Sequence, residues 1–126
     1  MKSSVTILFF FLAFTGMRSH AQCSETVAAL KSSDANALSA WFASSVELTI
    51  GDKEMMYGKE QAKRMVGDFF SKNVPATYET KHKSDAGATK YIIGTYKGKT
   101  GSYRVYVSFF TEGGREVIRT LKFENE

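Results

Sequence analysis

The sequence holds one cysteine, one proline and two histidines in 126 residues. A single thiol excludes a disulfide framework and any metal site built from cysteines. One proline and ten glycines, with no repeating period, exclude collagen-like, solenoid and low-complexity architectures. The longest apolar run covers residues 5–14, about half of the roughly 20 residues that a membrane-spanning helix needs. Excess charge is also small, at a formal +4. What is present is 43% hydrophobic residues, with ten Phe, six Tyr and one Trp. That is the composition of one globular domain.

The first 21 residues read as a leader peptide. Lys2 gives a positive start, the apolar run follows, and Gly16 breaks it. Ser19-His20-Ala21 puts small residues at the −3 and −1 positions of a signal-peptidase site, predicting cleavage after Ala21 and export to the periplasm or beyond. Residues 22–126 then form the domain, without a stable membrane anchor. A lipoprotein processed at Cys23 is disfavoured, because Gln22 stands where that reaction wants a small residue. Loss of Lys2 and Arg18 with the leader leaves fifteen basic against thirteen acidic residues. Lys81-His82-Lys83 and the Lys97/Lys99 pair are then local spots on strand edges, and a nucleic-acid partner is not expected.

The domain divides into a helical first half and a strand-rich second half. Ser24 is placed to cap a helix through Val27, Ala28 and Leu30, and Asp34 to cap a second carrying Ala37, Leu38, Trp41 and Phe42. Val46, Leu48 and Ile50 alternate with polar residues as a strand, and Met55-Met56-Tyr57 returns from a turn at Gly51-Asp52. Ala62, Met65, Val66, Phe69 and Phe70 mark one face of a third helix, ended by Asn73 and Pro75. Four strands with short turns follow, which predicts an antiparallel meander.

Helices, a short hairpin, another helix and a curved antiparallel sheet make up an order that resembles the nuclear transport factor 2-like, or cystatin-like, α+β cone. Several stretches are similar to a bacterial exported family known as domain of unknown function 4783: Phe42-Ala43-Ser44-Ser45-Val46-Glu47-Leu48, Tyr57-Gly58-Lys59-Glu60-Gln61-Ala62, Asp68-Phe69-Phe70, Lys81-His82-Lys83, Tyr91-Ile92-Ile93-Gly94-Thr95, Tyr103-Arg104-Val105-Tyr106 and Ile118-Arg119-Thr120-Leu121. The resemblance implies three N-terminal helices packed on a curved antiparallel sheet, a pocket at the open end of the cone, and dimerisation through the sheet. It implies no particular activity, since the fold hosts isomerases, dehydratases and binding modules alike.

A site must therefore be sought in the residues themselves. Asp34 reads as a cap, Asp52 and Asp85 as turn residues, and Asp68 lies off the apolar stripe of its helix. Glu47 and Glu79 fall on the polar faces of their strands. His82 is the single histidine after the leader, so no histidine cluster exists to bind a metal, and no cofactor is expected. On alternation, Tyr103, Val105, Val107 and Phe109 point into the cone while Arg104, Tyr106, Ser108 and Phe110 point out. The same count places Arg119 inward with Val117 and Leu121, where a guanidinium requires an anion.

Three readings follow. The first is a non-enzymatic module binding a small anionic or aromatic ligand in a pocket lined by Tyr57, His82, Tyr91, Tyr103 and Arg119. The second is a proton-transfer enzyme using His82. The third is a homodimer or interaction subunit working through Arg104, Tyr106 and Phe110, residue types favoured at interfaces.

Overall fold

Asp34 caps as expected: its carboxylate accepts a hydrogen bond from the Ala37 amide at 3.0 Å, and its backbone is extended. The computed structural model describes residues 18–85 and 89–126. The leader's apolar run and most of the Asp85–Gly87 turn lie outside them. Helix α1 spans Arg18–Ser32, α2 Ala35–Ser39, and α3 Lys59–Asn73. The strands are β1 Phe42–Ile50, β2 Lys53–Gly58, β3 Thr77–Ser84, β4 Lys90–Gly98, β5 Gly101–Glu112 and β6 Arg115–Asn125.

Three of the expected features are corrected. α1 is already helical at Arg18, so Ser24 lies within it rather than capping it. α2 is a single short turn, so among the described residues there are two long helices, not three, and α3 follows the first hairpin. The predicted stripe through Trp41 and Phe42 is interrupted because the sheet takes that backbone. The Trp41 carbonyl accepts from the Ile118 amide at 2.6 Å, and Phe42 pairs with Ile118 as β1 begins.

One curved sheet holds all six strands, in the order β2-β1-β6-β5-β4-β3. The four-strand meander is antiparallel as predicted. The junction of β1 with β6 is parallel, which makes the sheet mixed. One face carries Val46, Leu48, Ile92, Val105, Val107, Leu121 and Phe123, all buried with Leu30, Leu38, Ala62, Val66, Phe69 and Phe70 of the helices. The apolar stripe read for α3 is the face that closes this core.

Two strands carry one extra residue each. Thr80 pairs with Gly94 but His82 with Ile93, leaving Lys81 as a bulge in β3. Ser108 pairs with Thr120 but Phe109 with Ile118, leaving Arg119 as a bulge in β6. Each bulge slips the two-residue alternation by one place, and both lie at residues that the site readings depend on.

Candidate functional site

The helix-facing side of the sheet is filled by rings. Phe69 has its centroid 4.5 Å from Phe123, 5.0 Å from Tyr103 and 5.6 Å from Tyr96. Phe70 lies 5.6 Å from Tyr96 on its other side. Such contacts at van der Waals range leave no room for a guest among them. The two polar ends are satisfied locally: Tyr96 shares a 2.7 Å hydrogen bond with Ser33, and Tyr78 accepts one from Thr80 at 3.0 Å. Burial pushes both phenols above their ordinary pKa, and these bonds pull them partly back. Among the described residues the buried polar side chains are Thr26, Ser39, Thr49, Asn73, Ser108 and Thr120. None of these is an acid or base suited to moving a proton near neutral pH.

The predicted site residues divide between the two faces. Tyr103 is buried on the inner face as expected, and Tyr57, paired with Val46, borders the core. His82 does not share a face with Tyr78 and Thr80, as uninterrupted alternation required. The Lys81 bulge turns it to the outer face, where it is exposed. Its Nε2 lies 3.4 Å from the Tyr91 hydroxyl, and no carboxylate among the described residues bonds to it. Arg119 is likewise corrected. As the bulged residue it joins Thr120 on the outer side, exposed, with its guanidinium 4.7 Å from the centre of the Phe110 ring. It needs no buried anion, because water and an aromatic face already accommodate it. The five proposed pocket residues therefore do not converge on one cavity.

The outer face does bring residues together. Cross-strand pairing aligns His82, Ile93, Tyr106 and Lys122 in one row, and Tyr91, Ser108, Thr120 and Glu47 in the next. Rings bridge the rows: His82 to Tyr91 at 5.8 Å and Tyr91 to Tyr106 at 6.0 Å. Arg104 points outward as predicted and sits 3.6 Å from Glu124. Tyr106, Phe110, Tyr91 and Ile93 are all half-buried on the face opposite the core, which none of the described helices packs against.

A family model described as a domain of unknown function (DUF4783) matches residues 23–124. The chain belongs to that family. A DUF4783 protein of Bacteroides uniformis superposes with a TM-score of 0.77 at 20% identity, covering 82% of this chain and 95% of that one. One from Bacteroides ovatus gives 0.76 at 19% identity, covering 82% and 94%. A Streptomyces avermitilis protein of the nuclear transport factor 2-like family gives 0.62 at 12% identity, covering 85% and 92%. These likenesses establish the α+β fold, in line with the resemblance read from the sequence. No curated protein matches the sequence.

In this DUF4783 chain two further carboxylates have structural partners. Asp68 pairs with Lys72 across one helical turn at 3.1 Å, and Glu112 accepts from the Ser44 hydroxyl at 2.9 Å. Cys23 lies within α1, half-buried against the core. Burial raises its thiol pKa while Lys90 and Lys83 pull it down. Among the described residues no group of three or more His, Cys, Asp or Glu side chains is arranged to hold a metal, and no helix is long and apolar enough to cross a membrane. Sequence reasoning missed Ile93 and the inclusion of Tyr91 and His82 in the outer row. The signal was the odd spacing that a bulge imposes, which alternation cannot display. It also missed a cleft beside Tyr103.

Proposed function

We propose that this protein is an exported, non-catalytic module whose outer sheet face pairs with a second copy of the chain. The observation that carries the reading is the His82–Tyr91–Tyr106 ring row on the face opposite the described helices, extended by Phe110 under Arg119. Aromatic and arginine side chains are enriched at the centres of interfaces. Six strands about 4.8 Å apart and about eight residues long offer roughly 800 Å², which is about what each partner contributes to a standard interface.

Charge favours a self-pairing. Glu47 and Glu54 face outward on the β1–β2 side, whereas Lys97 and His82 lie on the β3–β4 side, where Glu79 is paired with Lys81. A two-fold axis parallel to the strands lays the acidic margin of one face over the basic margin of the other. Export rests on the leader, and a mature chain beginning after Ala21 in the cell envelope is its direct check.

Native mass spectrometry and sedimentation of the purified protein test the reading. The expected result is a dimer that Tyr106→Ala converts to a monomer, with the melting temperature of the monomer itself unchanged. A monomeric wild-type chain at high micromolar concentration overturns it.

A further inference from the structure

Beside the filled cone lies a depression with an apolar floor and a cationic rim. It lies where the C-terminal half of α3 meets the β4–β5 hairpin, with a volume of about 250 Å³. Ile50, Met65, Phe69 and Tyr103 form its walls, and Lys53, Lys72 and the carboxylate of Asp68 stand at its mouth. Lys53 sits directly across from Ile50 in the β1–β2 hairpin, on the helix side of the sheet. Lys72 is already engaged by Asp68. Lys53 is exposed, and no carboxylate among the described residues lies within ion-pair range of it.

A hydrogen-bond chain fixes the polarity of the opposite wall. Asn73, 1% exposed, donates from Nδ2 to the Phe69 carbonyl at 3.0 Å, so its Oδ1 is the accepting end. Oδ1 receives the Thr100 amide at 2.9 Å and the Thr100 hydroxyl at 2.8 Å. Thr100 has one hydroxyl proton and it is spent there. In the 2.7 Å contact between Thr100 Oγ1 and Tyr103 Oη, the tyrosine must therefore donate. Its oxygen has only lone pairs left to offer and repels a carboxylate while welcoming an O–H or N–H.

We propose that this cleft binds a small amphipathic carboxylate bearing a hydrogen-bond donor at its far end, such as a hydroxyaryl acid. The ring lies against Met65 and Phe69, the carboxylate meets Lys53, and the hydroxyl donates to Tyr103 Oη. The inference is independent of the outer-face pairing.

Amide-shift NMR titration of the purified protein tests it with 4-hydroxyphenylacetate, phenylacetate and 4-hydroxyphenethyl alcohol. Saturable shifts at millimolar concentration or below, confined to Lys53, Met65, Asn73, Thr100 and Tyr103, are expected for the first probe. Each truncated probe should bind about tenfold more weakly, the value of a charge-assisted or well-placed hydrogen bond. Lys53→Gln should weaken both acids about tenfold and leave the alcohol unchanged, and Lys53 is exposed enough for the variant to fold. Tyr103→Phe should remove the preference for 4-hydroxyphenylacetate over phenylacetate. Non-saturating shifts, shifts centred on the outer face, or equal affinity of the three probes overturn the proposal.

Discussion

The two faces of one sheet use the same residue types to opposite ends. On the inner face Phe69, Tyr96, Tyr103 and Phe123 lock ring against ring, with each hydroxyl tied to a neighbour. On the outer face Tyr91, Tyr106 and Phe110 stand in comparable proximity, but half in water and beside unsequestered charge. Burying a ring against other rings stabilises the fold, whereas a ring left half-exposed in a row keeps its apolar area available for another surface. The difference separates rings whose area the domain has already consumed from rings whose area is still open to water. It also explains why an aromatic-rich sequence offers so little interior for chemistry.

The largest effect that sharpens this contrast is expected at Phe69. Truncation to Ala removes the hub of four ring contacts and should cost about 3–5 kcal/mol in urea unfolding. Tyr106→Ala should stay within about 0.5 kcal/mol for the monomer. Comparable losses from the two variants would erase the distinction between the faces.

A smaller effect is expected at Gly94. A Cβ there runs into the Tyr78 ring and the Glu79 carbonyl, so Gly94→Ala should destabilise by about 1–3 kcal/mol through overpacking. Truncating Tyr78 in the same chain relieves the ring contact, so the double variant should cost less than the sum of the two singles. Strict additivity would mean that Tyr78 does not lie across Gly94.

The smallest effect appears with pH. Tyr96 and Tyr78 have their phenol pKa values raised by burial above the ordinary 10.0. The fold thus holds these protons more tightly than the unfolded chain. Their contribution is complete below about pH 10 and is lost as the pH rises through the folded-state values. Urea midpoints measured from about pH 8 upward should fall at the alkaline end, and Tyr96→Phe should flatten that fall. An unaltered slope in the variant would show that the inner-face phenol is not held neutral by its surroundings.

Much of this fold is written in local pattern. The α3 stripe, the Asp34 cap and the inward set Tyr103, Val105, Val107 and Phe109 all follow from periods of 3.6 and 2. The site was less legible, for a specific reason. Lys81 and Arg119 are single-residue bulges with no glycine to announce them, and each reverses the face of what is counted through it. That reversal carried His82 and Arg119 from the expected pocket to the open side. The β1–β6 pairing was hidden as well, because strands far apart in sequence leave no turn between them to read. The cleft beside Tyr103 depends on the same kind of distant meeting, between a helix end and a hairpin.

The parallel seam between β1 and β6 also sets a schedule. Leu48 lies beside Leu121, so the first strand cannot be flanked on both sides until the last one exists. A nascent chain holds helices and a hairpin with their apolar faces bare until its C-terminus is free, and contacts that distant form late and slowly. The closing strand then acts as the catch that commits the chain to its final shape.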